Sequence, residues 1–342
     1  MRTTPERVVV VTGASSGIGR ACARAFGERG DCVGLLARNS EALEKAAGEI
    51  EESGGKALVL PVDMTDARAV EAAAEAVEQR WGRIDVWVNN AMATVFAPVW
   101  DTDADEFRRV TETTYLGYVY GTQAALRRML PVDRGAIVQV GSALAYRSIP
   151  LQAAYCAAKA AIRAFTDSLR TELLHERSHV RISQVHLPAV NTPQSLRQRN
   201  KMRYQQQPVP PISSPKDIAA AVVSVADRNP REVLLGVPTF RAVWGQRFIP
   251  GILDHYVARA AWESQFIDRP NTQTGDILFN TLPGDPGAQG PYRDRETEPD
   301  FLMRIQSRPR SAFTRVALAL GDALARLLPT RSSSSKAPHP DR

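Results

Sequence analysis

The chain reads as an α/β protein built on a doubly wound parallel sheet, and two observations predict it. The apolar run Val8–Val11 leads into a glycine-rich turn, Thr12-Gly13-Ala14-Ser15-Ser16-Gly17-Ile18-Gly19, and then into apolar residues at helical spacing (Ala21, Ala25 and Phe26). Further short apolar runs alternate with helix-period segments as far as Val237, the order that parallel strands joined by crossover helices require. With 342 residues, 44% hydrophobic and 23% charged, the chain has ample material for a core.

The first run suits a buried parallel strand. In the turn after it, glycines let the backbone approach a pyrophosphate, and the following helix offers free N–H groups and a positive dipole end. A second strand, Cys32–Ala37, ends at Arg38-Asn39-Ser40. An acidic residue at such a strand end takes the ribose 2′-hydroxyl of NAD, whereas an arginine suits a 2′-phosphate through a bidentate fork. The other reading of Arg38 is a solvated residue opening the next helix. That helix, Glu41–Ser53, precedes a strand over Ala57–Pro61 and then Asp63, which is also able to cap the next helix. Helix Ala67–Trp81 and strand Ile84–Val88 lead to Asn89-Asn90-Ala91-Met92. Thr102 and Asp105 have capping-box spacing for a long helix reaching about Leu130. Strand Ala136–Val140 ends at Gly141-Ser142. After a loop, Ala158, Ile162, Phe165, Leu169 and Leu173 mark an amphipathic helix ending near His175. Val180–Val185 is the next strand, Ser214-Pro215 opens a helix by cap and first-turn proline, and Arg231–Val237 closes the sheet.

Tyr155 and Lys159 stand four apart on their helix and so share a face. A lysine ammonium near a phenol lowers a pKa that starts near ~10. A phenol so tuned exchanges a proton with a substrate oxygen at neutral pH. Ser142, thirteen residues before Tyr155, ends a strand where open α/β sheets bind ligands. Taken in order over residues 7 to 245, Thr-Gly-x-x-x-Gly-x-Gly, Asn-Asn-Ala, Ser142, Tyr155-x-x-x-Lys159 and Thr192 resemble the short-chain dehydrogenase/reductase family.

The resemblance implies a Rossmann-fold catalytic domain over residues 1–245; beyond it the residues read as a partly helical extension over 246–330 and a disordered tail over 331–342. The resemblance also implies an oxidoreductase that interconverts a carbonyl and an alcohol, and Arg38 at the second strand's end favours NADP(H) over NAD(H) as its cofactor. Ser142 would bind the substrate oxygen, Tyr155 act as general acid/base, and Lys159 lower the tyrosine pKa and hold the nicotinamide ribose. The cofactor-binding set is Gly13, Ser15, Ser16, Gly17, Ile18, Gly19, Arg38, Asp63, Asn90, Tyr155, Lys159 and Thr192, with Asp63 on the adenine amine and Thr192 by the carboxamide. Three positions depart from the family pattern. Met92 and Ala189 replace glycines, and Thr114, three residues before Gly117, stands where an asparagine holds a water in a catalytic proton relay. Two other classes stay open: a non-catalytic NADP-binding regulatory or scaffold protein, and a membrane-surface reductase of lipophilic substrates.

Gln194–Ser214 is polar and proline-rich and reads as a substrate lid. Its Arg197, Arg199, Lys201 and Arg203 either recognise an anionic substrate or form a solvated face. Leu144, Tyr146, Leu151, Val190 and the aromatic residues after Pro238 are able to line a site for an apolar, moderately large small-molecule substrate. Asp268–Asp300 reads as an irregular arm. Phe313–Leu328 carries a basic amphipathic stripe, suited to peripheral membrane contact over 311–328 or to packing on a core or partner. The formal charge of +6 is spread over scattered arginines without a nucleic-acid-binding motif, so no nucleic acid is expected. Three cysteines at unpaired spacing make neither a disulfide framework nor a metal pattern. No apolar stretch approaches the ~18 residues of a membrane span, and a cytoplasmic protein is expected. The family pairs through long helices, here Asp103–Leu130 and Tyr155–His175, which implies a homo-oligomer.

Overall fold

A computed structural model describes residues 6–307; the stripe over 311–328 and the tail over 331–342 lie outside them. Seven parallel strands form the central sheet: β1 (Val8–Thr12), β2 (Cys32–Ala37), β3 (Lys56–Pro61), β4 (Val86–Asn89), β5 (Ala136–Ser142), β6 (Arg181–Leu187) and β7 (Glu232–Leu234). Their order across the sheet is β7-β6-β5-β4-β1-β2-β3. The chain therefore winds outward from β1 in one direction and returns from β4 in the other. The reversal opens a crevice beyond the C-terminal ends of β1 and β4, where a sheet of this kind takes its ligand.

The alternation of strand residues explains why both faces are covered. Val9 and Val11 point into a core shared with α1 (Gly17–Gly27), α2 (Ser40–Glu52) and, further along, α7 (Pro215–Arg228). Val8 and Val10 point the other way, into a core with Trp87 and with side chains of α3 (Ala67–Trp81), α5 (Gly117–Met129) and α6 (Ala153–His175). Helix ends follow local chemistry. Asp66 accepts from Arg68 and Ala69 backbone N–H groups at the start of α3, and Gly82, in the left-handed region, ends it.

The capping box near residue 103 is shifted by one residue from the expected one. The cap is Asp103, and Glu106 reaches back to its N–H at 2.9 Å, while Thr102 instead donates to the Pro98 carbonyl. The long helix is also not uniform. It runs as α4 (Ala104–Val110), a π-helical turn over Thr111–Leu116, and α5. Such turns concentrate at functional sites.

Beyond β7 the chain continues in α8 (Gly236–Phe248) and then crosses back over the sheet. Phe266–Pro270 pairs antiparallel with Tyr204–Gln206 of the expected lid, so the start of the expected irregular arm is a strand. Two of the four lid cations are held in ion pairs, while Arg203 is exposed over the Tyr204 ring. Arg199 pairs with Glu106 and Asp276, and Lys201 with Asp103 and Glu106, which satisfies a Glu106 carboxylate that is only 2% exposed. Residues 275 to 290 then pass over the crevice as a strap.

Candidate active site

The crevice is lined at its floor by Gly13, Ser15, Ser16, Gly17 and Ile18, on one side by Arg38, Asp63 and Asn90, and at the far end by Met92 and Thr192. The residues expected around the glycine turn therefore gather into one cleft. Gly13 has φ +68°, and a Cβ there would come within 2.9 Å of the Ala91 backbone; a Cβ on Gly19, beneath the lining, would overlap the Gly13 carbonyl. Thr12 and Asn90 tie the two central strands together. The Thr12 hydroxyl accepts from the N–H groups of Asn90 and Ala91, and Asn90 Nδ2 donates to the Thr12 carbonyl at 3.0 Å.

The end of the cleft that holds Arg38 and Asp63 also holds residues that the sequence did not single out. Arg109 donates to Asp63 Oδ2 at 2.6 Å and to Thr65 Oγ1 at 2.9 Å. Burial pushes the Asp63 carboxyl up, but the bonds from Arg109 and Thr65 outweigh it and leave it below the ordinary value. Arg38 has no carboxylate partner among the described residues. Its guanidinium instead donates to three strap carbonyls, those of Ile277, Leu278 and Phe279. Burial lowers its pKa, and the nearby Arg109 acts in the same direction.

The strap roofs this cleft with Ile277, Thr281, Leu282 and Pro286. It is anchored by Asp285, which pairs with Arg20, a guanidinium only 2% exposed and also held by Glu49 at 2.9 Å. The Gly287 carbonyl accepts the N–H of Gly17, the first residue of α1, at 3.0 Å. Nothing in the local sequence of residues 275 to 290 signals these contacts, because each is made to a residue more than 200 positions away.

Ser142, Tyr155 and Lys159 form a second group, at the end of β5 and the start of α6. The Ser142 hydroxyl accepts from the Leu144 N–H at 3.1 Å and lies close enough to the Tyr155 phenol to lower its pKa. Burial nonetheless raises the Tyr155 pKa, and Ser142 only partly offsets it. Lys159 lies on the same helix face, with Nζ 5.6 Å from the Tyr155 ring centroid. Burial lowers the Lys159 pKa to about 7. Its ammonium donates to the Val140 carbonyl at 2.7 Å and to the phenol of Tyr118 at 2.9 Å. Tyr118 in turn donates to the same Val140 carbonyl at 2.9 Å. This second, wholly buried tyrosine stands one helical turn after Thr114, and that spacing was the available signal for it.

Thr114 sits in the π-helical turn and is fully buried. Its hydroxyl accepts from the Ala93 N–H and donates to the Ala93 carbonyl, both at 2.9 Å. The side chain thus holds the loop after β4, beside Met92 in the cleft wall.

The comparisons with known proteins agree with this geometry. Residues 7–203 match the family model for short chain dehydrogenase. The chain is 31% identical over 325 residues to "Uncharacterized oxidoreductase YxnA" of Bacillus subtilis, covering 92% of this chain and 86% of that one. It is 42% identical over 172 residues to human "Dehydrogenase/reductase SDR family member 7", where the match spans about half of either chain. Among solved structures, an alcohol dehydrogenase from Thermococcus sibiricus, complexed with 5-hydroxy-NADP, is 30% identical with a TM-score of 0.58, over 67% of this chain and 95% of that one. The actinorhodin polyketide ketoreductase with NADPH is 32% identical with a TM-score of 0.53, over 55% and 72% respectively. In sequence, sheet order and cleft, the chain belongs to the short-chain dehydrogenase/reductase family of oxidoreductases.

Proposed function

We propose that the protein interconverts a carbonyl and an alcohol with NADP(H) as its cofactor. The observation that carries this reading is Ser142 close to the Tyr155 phenol with Lys159 on the same helix face, in a chain whose glycine turn lines a cleft. The cofactor would be held by the backbone of Gly13 to Ile18, by Asn90 and Thr192, and by Asp63 and Arg38 at its adenosine end, and it supplies the hydride. Ser142 donates to the substrate oxygen and orients it. Tyr155 delivers the proton to that oxygen in reduction and removes it in oxidation. Lys159 would hydrogen-bond the ribose; burial lowers its own pKa to about 7, and the Tyr155 pKa is raised by burial rather than lowered by the lysine. Thr114 serves as a positioning residue, since both of its bonds go to Ala93.

Preference for NADP(H) over NAD(H) is supported by Arg38. A half-buried guanidinium whose acceptors are neutral carbonyls keeps its full charge for an anion, and a 2′-phosphate is the anion that distinguishes the two cofactors. The Thermococcus sibiricus dehydrogenase and the actinorhodin ketoreductase both hold an NADP-type ligand. A homo-oligomer is part of the reading too, with Leu130, Val132 and Leu174 exposed near the ends of α5 and α6. Among the described residues no helix is long and apolar enough to cross a membrane. The test is NADPH consumption against a panel of aldehydes and ketones, with Tyr155→Phe alongside. Turnover by the wild type, with a loss of about 100-fold or more in the variant, is the expected result. Binding of NADPH without turnover across a broad panel would favour the non-catalytic alternative.

A further inference from the structure

Behind the catalytic serine lies a cluster of titratable groups that the proposed chemistry does not use. His186, on β6, is 1% exposed and pairs in register with Gly141 of β5. Its Nδ1 lies 3.1 Å from the Ser142 carbonyl oxygen. A carbonyl only accepts, so Nδ1 carries the hydrogen and the ring orientation is settled. On the other side, Nε2 is 2.9 Å from Glu232 Oε1, off the line of a straight hydrogen bond. The same carboxylate oxygen accepts from the phenol of Tyr146, four residues past Ser142. Burial pushes the Glu232 carboxyl up, but the partners His186 and Tyr146 outweigh it and bring it down to about 2. Tyr146 packs edge-to-face on His186 with ring centroids 5.0 Å apart, and the Arg163 guanidinium of α6 lies over the Tyr146 ring at 4.9 Å. Arg231 adds a further cation beside Glu232.

Two features mark this as a built arrangement. A Cβ at Gly141 would come within 2.6 Å of His186 Nδ1, so the glycine makes room for the ring. The network also grips the serine turn at both ends, Ser142 through His186 and Tyr146 through Glu232. We propose that His186 and Glu232 are a positioning pair that holds the Ser142 turn in register with Tyr155. The pair rests on the proposed catalytic role of Ser142, because it acts only through that residue. Its consequence is specific: the Ser142 hydroxyl is aimed by a hydrogen bond to its own carbonyl from the neighbouring strand.

The test compares His186→Leu, which removes the donor, with His186→Asn, whose Nδ2 is placed to replace Nδ1. Two readouts are used on the full-length protein. Backbone hydrogen exchange over residues 142 to 147 is followed in the absence of any substrate. Turnover is followed with NADPH and 4-nitrobenzaldehyde. The Leu variant is expected to exchange at least about ten-fold faster over this turn, since one buried bond is worth that much in opening. Its kcat should fall about 10- to 100-fold, as misplacement of a reacting group implies, with the KM for NADPH within about two-fold. The Asn variant should return both readouts to within a few-fold of wild type. Unchanged exchange in the Leu variant would overturn the pairing, as would equal damage from Leu and Asn. If wild-type protein reduces no carbonyl, the catalytic reading fails, and the exchange data still judge the clamp independently.

Discussion

Removing the Arg38 side chain is the sharpest test of cofactor choice, because the structure allows its two roles to be separated. Arg38 donates to the carbonyls of Ile277, Leu278 and Phe279, and those bonds do not depend on which cofactor is bound. Losing them in Arg38→Ala loosens the strap and weakens both cofactors alike. What differs is the 2′-phosphate. A hydrogen bond to a charged group contributes about 1.5–3 kcal/mol, and a bidentate guanidinium–phosphate contact lies toward the upper end. At about 1.4 kcal/mol per factor of ten, the Kd for NADPH should rise some 10- to 100-fold more than that for NADH. Arg109 tempers the loss, since it keeps one positive charge near the same end of the cleft, although Asp63 offsets much of it. Arg38→Lys is expected to fall between the two, retaining charge without the fork. The assay is equilibrium titration of each cofactor by its nicotinamide fluorescence at fixed ionic strength. Equal weakening of NADPH and NADH would refute the assignment and leave Arg38 as an anchor for the strap alone.

Three further outcomes are expected from the same geometry. Thr114→Val, nearly isosteric, leaves the Ala93 N–H and carbonyl unpaired in a buried site and should cost about 2–4 kcal/mol in chemical denaturation; a variant of wild-type stability that has merely lost kcat would point to a held water. Lys159 has a folded pKa lowered to about 7 from 10.5, so between those values the unfolded chain binds a proton that the folded one does not. The lysine therefore makes stability rise with pH above 7, by up to about 5 kcal/mol over the full interval, and Lys159→Met should flatten the rise that urea titrations record between pH 7 and 8.5. Asp285→Ala frees the strap from Arg20 and should speed NADPH release several-fold in stopped-flow, with a stability loss of about 1–3 kcal/mol; an unchanged release rate would mean that the strap does not control the cleft.

The parts of the molecule legible in the sequence are those whose cause is local. The apolar run Val8–Val11, the glycine turn and the Ser142, Tyr155 and Lys159 spacing each state a backbone or side-chain requirement within a few residues; the structure puts the turn in the crevice lining and gathers the other three side chains at the end of β5 and the start of α6. The capping box missed by one position for an equally local reason. Thr102 and Asp103 are both able to cap, and the choice fell to Glu106, whose carboxylate reaches the Asp103 N–H and meets Arg199 and Lys201 on its other side. What was not legible arises from pairs far apart in the chain. Arg20 with Asp285, Arg38 with residues 277 to 279, and Gly17 with Gly287 share no period or motif, so the strap is invisible until the chain is folded. Its position has a chemical consequence. The Gly17 N–H, one of the free donors that the turn offers to a pyrophosphate, is already taken by the Gly287 carbonyl, and Arg38 is taken by three more. Neutral carbonyls hold these donors more weakly than phosphate oxygens do, since a charged acceptor makes a hydrogen bond roughly twice as strong. The strap carbonyls are therefore the weaker acceptors: a pyrophosphate at the Gly17 N–H would displace the Gly287 carbonyl, while Arg38, with five N–H donors, would keep strap contacts beside an added phosphate.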